Sequence, residues 1–320
     1  MDSSAALRVM GEVNKAVIGK KECIVKVMTA IIARGHILID DIPGVGKTTM
    51  AMAFSKAMGL EQRRVQFTPD VMPADITGFS VYQKETGQFV YQKGAAMCNL
   101  FLADEINRTS PKTQSALLEA MEEGSVTVDG ITRELPKPFV VIATQNPVGS
   151  AGTQMLPESQ LDRFMVCIQM GYPDLTDEIE IVKGRSAGNP LEQVCPVITA
   201  EGLMRMQREA EAVFIHDMLY EYMSRLVRAT REHPMVQLGV SPRGTIALAR
   251  MTKALAYLYD RNYAIPEDVV SIAKDVLVHR IRLASKAKVN QVTADMIVNE
   301  IIKKVPQPTM RRKSEERMSP

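Results

Sequence analysis

The sequence predicts an α/β protein, a parallel sheet flanked by helices, with an all-helical portion behind it. Three observations carry that prediction. Up to residue 170, short apolar runs alternate with segments of helical periodicity. A glycine-rich loop, Pro43 to Thr48, joins one apolar run to a helix. After Pro173 the apolar runs stop and only helical periodicity remains.

The elements follow in order. Residues 4–16 and 20–34 read as helices, the second with Ile24, Val27, Met28 and Ile31 on one face. Val17, Ile18, Gly19 and Lys20 break the two apart. His36 to Asp40 (HILID) reads as a buried strand, and residues 47–58 as the helix after the loop. Arg64 to Thr68, Asn99 to Ala103, Phe139 to Thr144 and Met165 to Met170 are four further strands. Residues 111–123 form a helix opened by Pro111, whose missing N–H is harmless at a first turn. Two segments interrupt the rhythm. Phe79 to Tyr91 alternates around Glu85, Thr86 and Gly87, and Ser125 to Leu135 alternates around Asp129-Gly130, a hairpin turn signal. Both read as inserted β-hairpins. Helices are expected at 174–186, 199–213, 217–231, 241–259 and 266–282. These patterns divide the chain into an α/β portion at 1–186, an all-helical portion at 187–305 opened by a linker at 187–198, and a Pro-rich, charged tail at 306–320 that reads as disordered.

Composition narrows the function classes. The chain has 320 residues, 46% hydrophobic and 24% charged, enough to bury a large core without disulfides or a structural metal. No apolar run approaches the roughly 20 residues that span a bilayer, and no secretory signal pattern opens the chain, so a cytoplasmic protein is expected. A net charge of +2 is too small for a dedicated nucleic-acid binder. Cys23, Cys98, Cys167 and Cys195 have no CxxC spacing, and the four histidines form no metal motif. The cysteines are expected as reduced, mostly buried side chains.

Two motifs carry chemistry. Pro43, Gly44, Val45, Gly46, Lys47, Thr48 and Thr49 follow a strand and open a helix, the setting of a phosphate-binding loop. There Lys47 reaches the β- and γ-phosphates of ATP and Thr48 ligates Mg²⁺. Asp41 stands where the strict pattern has its first glycine. The apolar run Leu100 to Ala103 ends in Asp104 and Glu105. Asp104 is expected to hold Mg²⁺, and Glu105 to polarise the water that attacks the γ-phosphate.

The run Ala103-Asp104-Glu105-Ile106-Asn107-Arg108, followed by Ser110 to Met121 (SPKTQSALLEAM), closely resembles the MoxR family of AAA+ ATPases. Asp40 to Thr48 fits as well, because that family usually carries an acidic residue at the position of Asp41. The resemblance spans roughly residues 10–285. It implies a P-loop αβα core with a five-stranded parallel sheet in the order 5-1-4-3-2 and an all-α lid. It implies a water-orienting role for Asn146, in the run Ile142 to Pro147. Leu156 to Phe164 (LPESQLDRF) matches a family motif with Ser159 for the usual alanine, and Arg163 becomes the expected arginine finger for a neighbouring subunit. A structural pair between Arg163 and Asp162 is the competing reading. Ser241-Pro242-Arg243 resembles the second sensor, with Arg243 reaching the γ-phosphate, although Gly244 replaces the usual alanine. Val17 and Ile18 match the adenine-side segment. The hairpins match inserts that face the central pore in related machines.

The resemblance therefore implies an ATP-hydrolysing, ring-forming chaperone, most often a hexamer. Its partners would be a protein client and a protein with a von Willebrand factor A domain, with no nucleic acid and no membrane insertion. Two alternatives stand beside it. One is a nucleic-acid motor or loader, for which Arg280, Arg282, Lys286 and Lys288 offer the only acid-free basic stretch. A solvated helix end is the other reading of that stretch. The second alternative is a nucleotide-dependent scaffold, disfavoured by the presence of Glu105 and Arg163.

Overall fold

The structure is a computed structural model that describes residues 3–146, 156–186 and 188–308. Helices α1 (Ser4–Ala16) and α2 (Lys21–Ile32) lead into β1 (Ile37–Asp40), and α3 (Lys47–Ala57) follows the glycine-rich loop. Then come β2 (Gln62–Gln66), the short α4 (Pro73–Thr77), and a hairpin of β3 (Gly78–Gln83) and β4 (Gln88–Lys93). Strand β5 (Leu100–Asp104), helix α5 (Pro111–Glu123) and a second hairpin, β6 (Ser125–Val128) with β7 (Ile131–Glu134), precede β8 (Val140–Gln145). A single-turn α6 (Glu158–Leu161) and β9 (Val166–Ile168) close this half.

Five parallel strands form one sheet in the order β2-β5-β8-β1-β9. Leaving out the hairpins, that is the expected 5-1-4-3-2 order. Period-2 alternation explains how the sheet is covered. Ile37, Ile39, Leu100, Leu102, Val140 and Ile142 face one side, with α1, α2 and α3. Leu38, Phe101, Ala103, Val141 and Ala143 face the other, packed with Leu117 and Leu118 of α5. A fully buried Leu, Ile, Val or Phe contributes about 1.5–3 kcal/mol. A one-residue slip of any central strand would exchange its two faces and misfit both. Helix α5 is bounded as its sequence dictates. The Ser110 hydroxyl accepts the N–H of Thr113, Pro111 occupies the first turn, and Gly124 closes the helix at φ +62.

The remaining helices are α7 (Leu175–Ser186), α8 (Ala200–Glu211), α9 (Asp217–Glu232), α10 (Pro242–Leu258), α11 (Pro266–Leu277), α12 (Ser285–Val289) and α13 (Ala294–Lys304). Strands β10 (Val236–Leu238) and β11 (Arg282–Leu283) pair antiparallel. Helices α12 and α13 and this strand pair go beyond the five helices expected after Pro173. The expected helix at 266–282 ends earlier, at Leu277, and turns through a 3₁₀ segment into β11. Leu203, Met206, Leu248, Met251 and Ile272 join the same core cluster as α1–α3. The buried Gln207 side chain donates to the carbonyl of Ile31 at 2.9 Å.

One expectation needs correction, and the segment expected as a linker makes tertiary contacts. The segment 187–198 is tied down where it is described. Val197 N–H donates to Ala57 O at 2.8 Å, and Cys195 N–H to a Glu12 carboxylate oxygen at 2.9 Å. The basic stretch at 280–288 is not wholly a solvated helix end. Arg280 is buried and ion-paired with Asp162 at 2.8 Å, and Arg282 reaches Glu158 at 3.3 Å. Of the stretch 306–320, residues 306–308 line a cavity with Met218, Tyr222 and Arg225 of α9, and 309–320 lie outside the described residues.

Candidate functional site: a phosphate loop and a distant arginine pair

The C-terminal ends of β1, β5 and β8 lie side by side, and each delivers polar groups to one place. The loop after β1 turns through Gly44 (φ +86) and Gly46 (φ +94), left-handed conformations that favour glycine. A Cβ built on Gly44 would meet nothing within 4 Å, so this side of the loop faces open space. Lys47 starts α3 and is buried. Its ammonium donates to Gln145 O at 3.0 Å, to Asn146 Oδ1 at 2.9 Å and to the Asp41 carbonyl. Burial lowers the Lys47 pKa, against the opposing pull of Asp41, Asp104, Asp40 and Glu105.

Asp41 is a clamp. Its Oδ1 accepts the N–H of Ile42 at 2.7 Å, and its Oδ2 accepts those of Met170 and Gly171 at 2.5 and 2.6 Å. A glycine here could not tie the loop to the chain that leaves β9. Neighbouring Asp40 has its pKa raised, chiefly by burial.

Asp104 and Glu105 divide two tasks. Asp104 Oδ1 accepts from the Thr144 hydroxyl at 2.6 Å. Its Oδ2 accepts from the Thr48 hydroxyl at 3.1 Å and from Arg64 Nη2 at 2.7 Å. Glu105 sits at φ +56, and its N–H donates to Thr144 Oγ1 at 2.9 Å. That rare backbone turns the carboxylate back toward Asn146, whose amide donates to Glu105 Oε1 at 3.0 Å. Arg108 holds the other oxygen at 2.7 Å. Asn146 thus bridges Lys47 and Glu105, and its own carbonyl accepts from Asn107 Nδ2 at 3.1 Å.

These groups fit a nucleotide with its cation. Mg²⁺ keeps several waters and needs only one or two protein oxygens. The hydroxyl of Thr48 and the carboxylate of Asp104 converge beside the open glycine loop. A cavity of roughly 140 Å³ is lined by the loop residues Gly44 and Gly46 together with Val17, Ile18, Thr49 and Pro173, among others. Pro43 is an exposed turn residue of the loop.

Arg163 and Arg243 are elsewhere. They line a cavity of roughly 250 Å³ together with His36 and Met165, which precede β1 and β9. That is the opposite end of the sheet from Lys47, a strand length of about 13 Å at ~3.3 Å per residue. The expected contact of Arg243 with the γ-phosphate is therefore not built within one chain. Both arginines pair with Glu122, Arg163 at 3.2 Å. The alternative partner for Arg163, Asp162, is engaged otherwise. Its carboxylate accepts from Arg280 Nε at 2.8 Å and from the Ser241 hydroxyl at 2.9 Å. Successive residues point in different directions, so sequence adjacency does not make an ion pair. Arg280 also donates to Phe164 O at 2.6 Å and to Met165 O at 3.2 Å. Gly244 has a packing reason, since a Cβ there would lie 2.3 Å from Val240 Cγ1 and 3.0 Å from Arg280 Cδ.

Sequence reasoning missed Arg64, Arg108, Asn107, Thr144 and Glu122. Thr144 was within reach, two residues before Asn146 at the end of an apolar strand. Arg64 had a weaker signal, a charge inside a strand. Glu122 had none, since its partners lie far along the chain.

Comparison with known proteins agrees with this geometry. Residues 36–166 match the family model described as ATPase family associated with various cellular activities (AAA), and residues 228–301 match the AAA lid domain. The chain is 48% identical to the uncharacterized protein YeaC of Bacillus subtilis, with 93% of each chain covered. It is 35% identical to the chaperone MoxR1 of Mycobacterium tuberculosis, over 94% of this chain and 82% of that one. It is 30% identical to the protein MoxR of Methylorubrum extorquens, with 95% of each covered. A crystal structure assigned as an ATPase from Cytophaga hutchinsonii superposes with a TM-score of 0.89 at 38% identity, covering 96% of both chains. Among the described residues no helix is long and apolar enough to cross a membrane. With a phosphate loop at one end of the sheet, paired carboxylates on the adjacent strand and relatives of this similarity over nearly the whole chain, the protein belongs to the MoxR family of AAA+ ATPases.

Proposed function

We propose that the protein is a ring-forming, Mg-ATP-driven chaperone whose hydrolytic site is completed by a second copy of the chain. One observation carries this reading. Lys47, Asp104, Glu105 and Asn146 cluster at one end of the sheet, while Arg163 and Arg243 pair at the other. A single chain therefore offers half a site on each of two faces, and head-to-tail packing of copies brings the halves together.

In this reading the glycine loop and Lys47 hold the triphosphate, with Val17, Ile18 and Thr49 around the rest of the nucleotide. Thr48 and Asp104 hold Mg²⁺, which when bound neutralises charge on the β- and γ-phosphates. Glu105 takes the proton of the attacking water, and Asn146 fixes the carboxylate that does so. Arg163 and Arg243 of the neighbouring subunit stabilise charge on the departing γ-phosphoryl group, a contribution of about 10³–10⁵ in rate for a finger. Residues 1–186 act as the core and 187–305 as a lid that follows the nucleotide state.

The ring, most often six subunits in this reading, passes that motion to a protein client. The hairpin β3–β4 exposes Phe79, Tyr82 and Phe89 and supports the client contact. A von Willebrand factor A domain protein is the proposed partner, and complex maturation the proposed outcome. The cytoplasm, where ATP is plentiful, is the proposed compartment. The test is a capture from cell extract with tagged Glu105→Gln in Mg-ATP, against Lys47→Ala, with size measured by light scattering. A von Willebrand factor A domain protein held only by the trapped ring supports the proposal. A trapped monomer that retains nothing refutes it.

A further inference from the structure

Glu122 is the shared counter-ion of Arg163 and Arg243. One carboxylate oxygen lies 3.2 Å from Arg163 Nη2, and the other accepts a hydrogen bond from Arg243 Nη2. The three residues come from the last turn of α5, the turn after α6 and the first turn of α10. All three side chains are partly exposed, at 37%, 30% and 46%. The cavity they line also carries Arg34, Arg250 and Arg280, and among the described residues Asp162 is its only other carboxylate. Asp162 is bound to Arg280, and Arg34 reaches Glu211 at 3.3 Å. The anion that faces Arg163 and Arg243 is therefore Glu122.

Two guanidinium groups held close repel each other unless an anion lies between them. A carboxylate and a phosphate offer a guanidinium the same paired-oxygen geometry. We propose that Glu122 is a positioning residue that keeps Arg163 and Arg243 converged on the spot where the γ-phosphate of a neighbouring subunit's ATP comes to sit. The inference rests on the reading of these arginines as acting in trans. The incoming phosphate carries more charge than a carboxylate and takes over both guanidinium groups. Glu122 then turns toward water, which its partial exposure permits, so no charge is stranded. The exchange makes and breaks no covalent bond.

The test is steady-state phosphate release from the full chain in Mg-ATP. Glu122→Gln keeps the shape and removes the charge. It is expected to lower kcat about tenfold and leave KM within about twofold, because misaligned arginines weaken a transition-state contact. Glu122→Asp, which keeps the charge on a shorter stem, is expected to recover part of that loss. In a chain lacking both arginines, Arg163→Ala with Arg243→Ala, adding Glu122→Gln should cost nothing further in the residual single-turnover rate, since it acts through the two arginines. Mixing Glu122→Gln with Lys47→Ala chains should restore turnover, because the Lys47→Ala subunit offers an intact trio to an intact nucleotide site. Wild-type turnover by Glu122→Gln, or a further loss when Glu122→Gln is added to the chain lacking both arginines, would overturn the proposal. Normal turnover by both Arg163→Ala and Arg243→Ala is a different result, and it defeats the trans reading itself.

Discussion

The carboxylate of Asp41 accepts the backbone N–H of Gly171 at 2.6 Å, joining the phosphate loop to the chain that leaves β9. The same oxygen accepts Met170 N–H, and the other accepts Ile42 N–H. An acidic residue at a position where many phosphate loops have glycine thus braces the loop from behind. Asp41→Gly is expected to lower stability by about 1–3 kcal/mol, the range for losing a charged hydrogen-bond acceptor. It should weaken ATP binding about tenfold by loosening the loop. Denaturant unfolding and calorimetry check the two effects, and an unchanged affinity would confine Asp41 to stability.

Lys47 and Glu105 should separate binding from chemistry. Lys47→Ala leaves the triphosphate without its ammonium and is expected to abolish ATP binding by calorimetry. Glu105→Gln keeps the amide contact from Asn146 but cannot accept the proton of water. It should bind ATP and release phosphate at least about 100-fold more slowly. Near-normal release would remove Glu105 from the mechanism.

Asn146 touches both residues, so its loss should show in both parameters. Asn146→Ala frees Glu105 Oε1 and removes one of the three acceptors around Lys47. The expectation is a loss of about 10–100-fold in kcat with a modest rise in KM, measured by phosphate release. A change in KM alone would mean that Asn146 serves the lysine and not the carboxylate.

The arginine pair predicts complementation. Arg163→Ala and Lys47→Ala chains are each expected to be inactive alone. Once exchange of subunits is established by fluorescence transfer, the mixture should regain activity, because half of its mixed interfaces join an intact nucleotide site to intact arginines. A mixture as inactive as its parts would argue against sharing of the site.

A pH effect should arise at His36, which lines the arginine cavity. Its Nδ1 accepts Val141 N–H at 3.0 Å, and burial lowers its pKa to about 4 from an ordinary 6.5. A folded-state pKa below the unfolded one means that the unfolded chain takes up the proton first. The stability held by neutral His36 is therefore complete above about 6.5 and is lost as pH falls toward 4. Wild-type Tm should drop more steeply through that window than the Tm of His36→Gln. Carboxylates titrate in both chains and cancel in the comparison. Parallel Tm curves would sink this assignment.

Much of this protein is legible along the chain. The apolar run Ile37, Leu38 and Ile39, the glycines before Lys47, the start of α5 at Pro111 and the Asp129-Gly130 turn are local patterns. Each depends on residues within a few positions, where backbone geometry and water exposure dominate. The strand order was legible only through resemblance, because parallel strands with similar apolar runs do not name their neighbours. Short elements such as α12 and the β10–β11 pair left little pattern, being stabilised by the core they complete.

The sequence by itself determined the glycine loop, its lysine and which carboxylates stand beside them, since loop, lysine and acid-tipped strand are each written in contiguous residues. Only the tertiary structure decided that Asp162 belongs to Arg280, that Glu122 joins Arg163 to Arg243, and that this pair lies a strand's length from Lys47. The reason is physical. An ion pair is set by which chain segments the crossovers and helix packing bring within about 4 Å, and charge has no periodicity from which distant partners can be read.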